Sequence, residues 1–186
     1  MGSEMCIRDR SDGEWIDEES SCEPTTDGGR ICLEAEQLIH DKFAGSPVRS
    51  TILRFAGIYG PDRVLRRVDS LKNNEPIAGN PDAYLNLIHV DDGVETILAS
   101  EMAESTDSIY VVSDGQELTR RQYFTTLAEL VDAPAPLFDA NAPQGNRPAK
   151  SGLNKRCRND RLIRELGVTL KYPAVGDGLR QALQKN

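Results

Sequence analysis

Leu53-Arg54-Phe55-Ala56-Gly57-Ile58-Tyr59-Gly60-Pro61 is the stretch on which the fold of this chain turns. Val48, Thr51, Ile52, Leu53 and Phe55 are β-branched or apolar and lack helical spacing, so residues 48–55 are predicted to be a short buried strand. Gly60-Pro61 stops it as a turn. Just upstream, Ile31, Ala35, Leu38 and Ile39 recur at helical spacing, which predicts a helix over 28–43 with Asp27 as its cap. Gly45-Ser46-Pro47 closes that helix. Helix, short turn and buried strand make half of a βαβ unit.

The same alternation continues downstream. Val64, Leu65, Val68 and Leu71 predict a short amphipathic helix, and Pro76, Gly79 and Pro81 break the chain before a strand over 84–89. Asp91 or Asp92 is read as the cap of a helix reaching Met102, with Val94, Ile97, Leu98 and Met102 turned inward. A third strand over 109–112 ends at Ser113-Asp114-Gly115. Thr119 then caps a helix carrying Tyr123, Leu127, Leu130 and Val131. Residues 132–152 are rich in Pro, Ala and Asn and read as loop. Asn159 caps a last pair of helices over 160–166 and 174–184. Before all of this, residues 11–26 read as a polar loop with Trp15 and a carboxylate run, Asp17, Glu18 and Glu19. That run is taken as solvated rather than as a metal site.

Composition narrows the classes. With 186 residues there is room for one domain of ordinary size. A hydrophobic share of 38% permits a core, and no apolar run approaches a membrane span. The net charge of −8 argues against a nucleic-acid partner, which needs a basic face. Cys6, Cys22, Cys32 and Cys157 form no C-x-x-C pair and are read as reduced thiols of a cytoplasmic protein. His40 and His89 lie at no metal-ligand spacing from each other or from a cysteine, so no metal is expected.

Four stretches, in this order, resemble the extended short-chain dehydrogenase/reductase superfamily of NAD-dependent epimerases and dehydratases. They are residues 53–61, Asn86-Leu87-Ile88-His89-Val90-Asp91-Asp92, Ile109-Tyr110-Val111-Val112-Ser113-Asp114-Gly115, and Arg164-Glu165-Leu166-Gly167. Asn154-Lys155-Arg156-Cys157 points to an atypical branch. The resemblance implies an α/β fold: the carboxy-terminal part of a Rossmann-type doubly wound parallel sheet with a small α+β substrate lobe. It divides the chain at 1–13 (a non-native or disordered tail), 14–115 (the second half of a nucleotide-binding domain) and 116–186 (the substrate-side lobe). It also implies that backbone groups of Phe55, Ala56, Gly57 and Ile58 face a nicotinamide and that Tyr59 lines the substrate pocket. The alternative is that Arg54, Tyr59 and Pro61 only build a tight strand-to-helix turn. His89 is expected to be a packed structural histidine, and Asp92 a helix cap.

The chain departs from that family where the chemistry resides. The family's Tyr-x-x-x-Lys pair precedes Leu-x-Ala-Glu; aligned on Leu33, Ala35 and Glu36, the two positions hold Gly28 and Cys32. Glycine has no titratable group and a thiol carries no permanent positive charge, so no catalytic residue is assigned. The glycine-rich loop that cradles a pyrophosphate is also missing from these 186 residues. Met5-Cys6-Ile7-Arg8-Asp9-Arg10 resembles the conceptual translation of a sequencing adapter, which implies a false start and a gene cut upstream. The alternative is a frayed natural terminus. The expectation is therefore a piece of an NAD- or NADP-binding parent with a small-molecule substrate, which by itself binds no dinucleotide tightly. The other reading is a non-catalytic dinucleotide-binding sensor or scaffold.

Overall fold

The polar stretch before the first helix is more than a loop. Glu14–Ile16 forms a strand (β1) running parallel to Lys155–Cys157 far along the chain, with Ile16 opposite Cys157. Ile16 is buried there with Val111 and Cys157. Nor is the carboxylate run solvated throughout. Glu18 turns inward and accepts the Val111 N–H at 2.7 Å, Asp17 accepts from the Ser20 hydroxyl, and Glu19 pairs with Arg161. The reason is general: a buried backbone N–H must find an acceptor, and here a neighbouring loop supplies a carboxylate.

In this computed structural model residues 12–24, 26–103, 108–142 and 154–184 are described. Cys6 and Ile7, and nearly all of the segment read as a tail, lie outside them. Gly13, at the end of that segment, is buried and donates its N–H to Asn154 O at 2.8 Å.

The first helix is Asp27–Phe43 (α1), and its cap is Thr26 rather than Asp27. The Thr26 hydroxyl accepts from Gly29 N at 3.2 Å, leaving Asp27 to face the helix dipole from the first turn. The strand that follows is Thr51–Phe55 (β2), shorter than predicted because Val48 is exposed beyond a turn at Ser46. Then come Gly57–Tyr59 (β3), Leu65–Lys72 (α2), Ile77–Ala78 (β4), Leu87–His89 (β5), Val90–Met102 (α3) and Ser108–Val112 (β6). Arg120–Leu130 (α4), Phe138–Asp139 (β7), Lys155–Cys157 (β8), Asp160–Leu166 (α5) and Val175–Gln184 (α6) complete the order. Among the described residues no helix is long and apolar enough to cross a membrane.

Every strand pair is parallel: β2 with β6, β3 with β5, β4 with β7, and β1 with β8. This is a mixed α/β fold of parallel strands, as expected, with the strands paired two by two in four ladders. Ile52 and Arg54 of β2 face α1, whereas Leu53 and Phe55 face the other way and pack with Tyr110, Val112 and Leu162. A second core joins Tyr59, Val68, Leu87, Tyr123, Leu127 and Leu179 from β3, β5, α2, α4 and α6. Strands β7 and β8 lie where the sequence predicted no strand. The β8 strand is held by a side chain, since Asn86 donates to Lys155 O at 2.9 Å and accepts from Cys157 N at 2.8 Å. Asn159 precedes α5 but makes no cap bond; its amide donates instead to Ser113 O at 2.9 Å.

Helix α3 is turned about its axis from the predicted orientation. Its buried side carries Asp92, Gly93 and Thr96, while Val94, Ile97, Leu98 and Met102 are exposed, Met102 at 84%. Close approach is the cause: a methyl group on Gly93 would sit 3.1 Å from the Phe55 ring, so only small residues fit against the sheet. On α1 the apolar stripe is open as well, with Ile31, Leu38 and Ile39 exposed and Leu38 at 70%. Two apolar helix faces on one small chain favour association. The chain is expected to self-associate in light scattering at high concentration. Leu38→Glu with Leu98→Glu is expected to make it monodisperse while changing stability by less than about 0.5 kcal/mol per site. Monodisperse monomer from the unaltered chain would contradict this.

Candidate functional site

Ala56 is the pivot of the site. Its N–H is bonded to Val112 O at 2.9 Å, and the next one, from Gly57, is bonded to Asn86 O at 3.0 Å. Within one residue the chain leaves β6 and takes β5 as its partner. This break lies at the carboxyl end of β2, and ligands of open α/β sheets collect outside the carboxyl ends of the strands. Phe55, Ala56, Gly57 and Ile58 follow one another across this break, with Phe55 and Ile58 packed against the core of Tyr110, Val112 and Leu162. Their available polar groups are fewer than the sequence suggested, because the Ala56 and Gly57 N–H groups are committed to the sheet.

Tyr59 is placed elsewhere. Its side chain is 3% exposed in the core between β3 and α6, and its ring meets His89 edge-on at 5.2 Å. A methyl group on Gly178 of α6 would overlap the Tyr59 hydroxyl, so glycine is needed there for packing. That hydroxyl has no hydrogen-bond partner. Burial, then the nearby Asp114 and Asp92 carboxylates, push its pKa up from the ordinary tyrosine value. Tyr123 OH and Asp114 Oδ2 are buried without a partner too. Burial also pushes the Asp114 carboxyl up to about 7, against the lowering effect of the backbone N–H groups of Gln116 and of Asp114 itself. A carboxyl held near neutrality in a dry interior is one of the ordinary marks of a functional site, although a structural cluster can produce it as well.

The His-Val-Asp-Asp segment is structural. His89 caps α3: Nδ1 accepts the Asp91 N–H at 3.2 Å and Nε2 lies 3.0 Å from Gln181 Oε1. With Nδ1 accepting, Nε2 carries the proton and donates it to Gln181. Asp92 is not the cap. Its two carboxylate oxygens accept Lys171 N at 2.7 Å and Tyr172 N at 3.1 Å, tying the loop before α6 to α3. Nothing local in the sequence marks this bond, because it spans 80 residues.

Gly28 and Cys32 sit half-buried on α1, and Cys32 is a free thiol. One turn further, Glu36 reaches Arg54 of β2 in a two-pronged ion pair, Nε to Oε1 at 3.1 Å and Nη2 to Oε2 at 2.7 Å. The Arg54 side chain is 4% exposed, so the pair fixes helix to sheet with little solvent screening. Leu33, His40, Ser50 and Ile109 join these two residues around a cleft of about 260 Å³. Among the described residues no group of His, Cys, Asp or Glu is arranged to hold a metal.

No protein-family model matches the chain, and no curated protein matches it in sequence. Solved structures do match. A functionally unknown conserved protein from Silicibacter pomeroyi is 31% identical with a TM-score of 0.82, and the match covers 97% of this chain and 64% of that one. The fold is that of the NAD-dependent epimerases and dehydratases. A putative NAD-dependent epimerase/dehydratase from Methylobacillus flagellatus is 29% identical over 99% of this chain and 62% of its own, with a TM-score of 0.74. UDP-glucuronic acid 4-epimerase from Bacillus cereus, in complex with NAD, matches at 15% identity and a TM-score of 0.76, over 99% of this chain and 60% of its own. The chain therefore spans less than two thirds of the length of each of these structures.

Proposed function

We propose that these residues are the carboxy-terminal part of an NAD- or NADP-binding protein of the epimerase/dehydratase family. The parent would act on a sugar-nucleotide-like or other small hydroxyl or carbonyl substrate. The observation that carries this reading is that residues 55–58 lie at the carboxyl ends of parallel strands, where the chain changes strand partner at Ala56. Its best support outside the chain is the likeness to an epimerase bound to NAD and to a putative epimerase/dehydratase.

The residues present fit the cofactor only in part. Phe55 to Ile58 offer a surface to a nicotinamide ring, but the Ala56 and Gly57 N–H groups are spent within the sheet. Neither a glycine-rich loop nor the helix it opens is found in these 186 residues, so no group here takes up a pyrophosphate in the manner of that fold. No step of a reaction is assigned to these residues. The proton relay has no Tyr or Lys, since Gly28 and Cys32 stand at those positions. That observation favours the second reading, a parent that holds a dinucleotide and senses or scaffolds without turnover.

The test is the chain extended by its upstream coding sequence. Binding of NAD or NADP together with a chemical change in an added sugar nucleotide, read by chromatography because epimerisation and dehydration return the nicotinamide to its starting oxidation state, is expected for the enzyme. Binding without any such change supports the sensor. An extended chain that binds neither dinucleotide overturns both.

A further inference from the structure

His89 is 0% exposed at the end of β5, and both of its ring nitrogens are in use. Nδ1 accepts the Asp91 N–H at 3.2 Å, which caps α3, and Nε2 lies 3.0 Å from Gln181 Oε1 on α6. A backbone N–H can only donate, so the ring proton is on Nε2 and Gln181 presents its oxygen to it. The ring stacks on Tyr172 at 4.1 Å and meets Tyr59 edge-on at 5.2 Å. Asp92 holds the Lys171 and Tyr172 N–H groups alongside. The first turn of α3 therefore fastens both α6 and the loop that leads into it.

A second ring proton has no place in this arrangement. It would sit on Nδ1 and point at the Asp91 N–H, and two donors cannot share a bond. Charged and titratable groups stand around the ring on every side. Asp91 Oδ2 is 3.9 Å from Nδ1, and Asp92 is committed to the two N–H groups of the loop. Lys171 pairs with Glu95, while Asp114 and Asp177 act on the neighbouring Tyr59 hydroxyl. Asp91 can accept an Nδ1–H only by closing its gap, which turns the ring from the Asp91 N–H and from Gln181. The element free to respond is α6, the last described one, Val175–Gln184. Its Gly178 lies against the Tyr59 hydroxyl, which has no hydrogen-bond partner in the core.

We infer that His89 is a proton-operated latch: the neutral ring holds α6 against the first turn of α3, and protonation releases α6 and uncovers Tyr59. The bonded form is the neutral one, so the latch is at full strength in neutral solution and weakens as pH falls. Asp114 has the opposite sign. Its carboxyl, raised to about 7, sheds its burial penalty on acidification, so it cannot cause a loosening in acid. The latch rests on residues of this chain alone and does not depend on the dinucleotide reading.

Hydrogen exchange of the 186-residue chain at pH 7.5 and pH 5.5, corrected for the intrinsic pH dependence of exchange, is the test. The α6 amides are expected to exchange about 5-fold faster or more at pH 5.5, the factor for losing one hydrogen bond of ordinary strength, with those of α4 unchanged. His89→Gln keeps an acceptor and a donor but does not titrate, and is expected to abolish the pH effect. Asp91, Asp92 and Asp177 are present in both proteins, so the difference belongs to His89. Where His89→Gln does not fold, Gln181→Leu cuts α6 from the ring, and the pH effect on α6 is expected to vanish while the ring still titrates. Nitrogen-15 spectra of the ring are expected to show the proton on Nε2 at pH 7.5. A proton on Nδ1 at that pH overturns the inference. So does α6 exchange that is the same at both pH values, that changes together with α4, or that changes equally in the variant.

Discussion

Asp114→Asn is expected to stabilise the chain at pH 8 by a few kcal/mol, on the order of 4 at most. The carboxyl of Asp114 is 5% exposed, and one of its oxygens has no partner, so its charged form is the one that burial penalises. Its pKa is raised from 3.8 to about 7. The direction of the pH effect follows. Below pH 4 the group is neutral in both folded and unfolded chains and costs nothing. Between pH 4 and 7 the unfolded chain gives up the proton while the folded chain keeps it, so stability falls as pH rises. Above 7 both are ionised and the penalty is constant. Asparagine has nearly the same shape and never ionises, so the variant's stability should not fall with the wild type across that window. Urea unfolding at pH 4.5 and pH 8, in the Leu38→Glu, Leu98→Glu background, measures the difference. Parallel pH dependence of variant and wild type would contradict the assignment.

Elements with a strong local signature were legible in the sequence. Strand β2 was found because β-branched and apolar residues run to Phe55 without helical spacing, whereas the separate short strand β3 was not read. Helix α4 was found from Thr119 as its cap and from Tyr123, Leu127, Leu130 and Val131; the structure adds a capping box, with Thr119 Oγ1 accepting from Gln122 N at 3.2 Å and Gln122 Oε1 from Thr119 N at 2.8 Å. What escaped was set by partners distant in sequence. Strands β1 and β8 are three residues each and acquire their form from one another, so neither has a period to read. The facing of α3 was misread because apolar residues were taken as the buried ones. Against a tightly apposed sheet the buried residues are instead the small ones, Gly93 and Thr96. The link between Glu36 and Arg54 was open to inference, as two residues of separately recognised stretches carry opposite charge. Tyr59, read from its motif either as lining a pocket or as part of a tight turn, is buried against Gly178 in the core.

The largest effect expected of this chain is a loss of affinity. Most of the grip on a dinucleotide comes from phosphate contacts at a helix N-terminus and from burying the adenine. The segment from Phe55 to Ile58 supplies neither, and about 4 kcal/mol is enough to move binding from micromolar to millimolar. Titration calorimetry of the purified 186-residue chain with NAD and with NADP tests the central claim most directly. The account predicts no saturable heat from either up to millimolar concentration; micromolar binding of either one would contradict it.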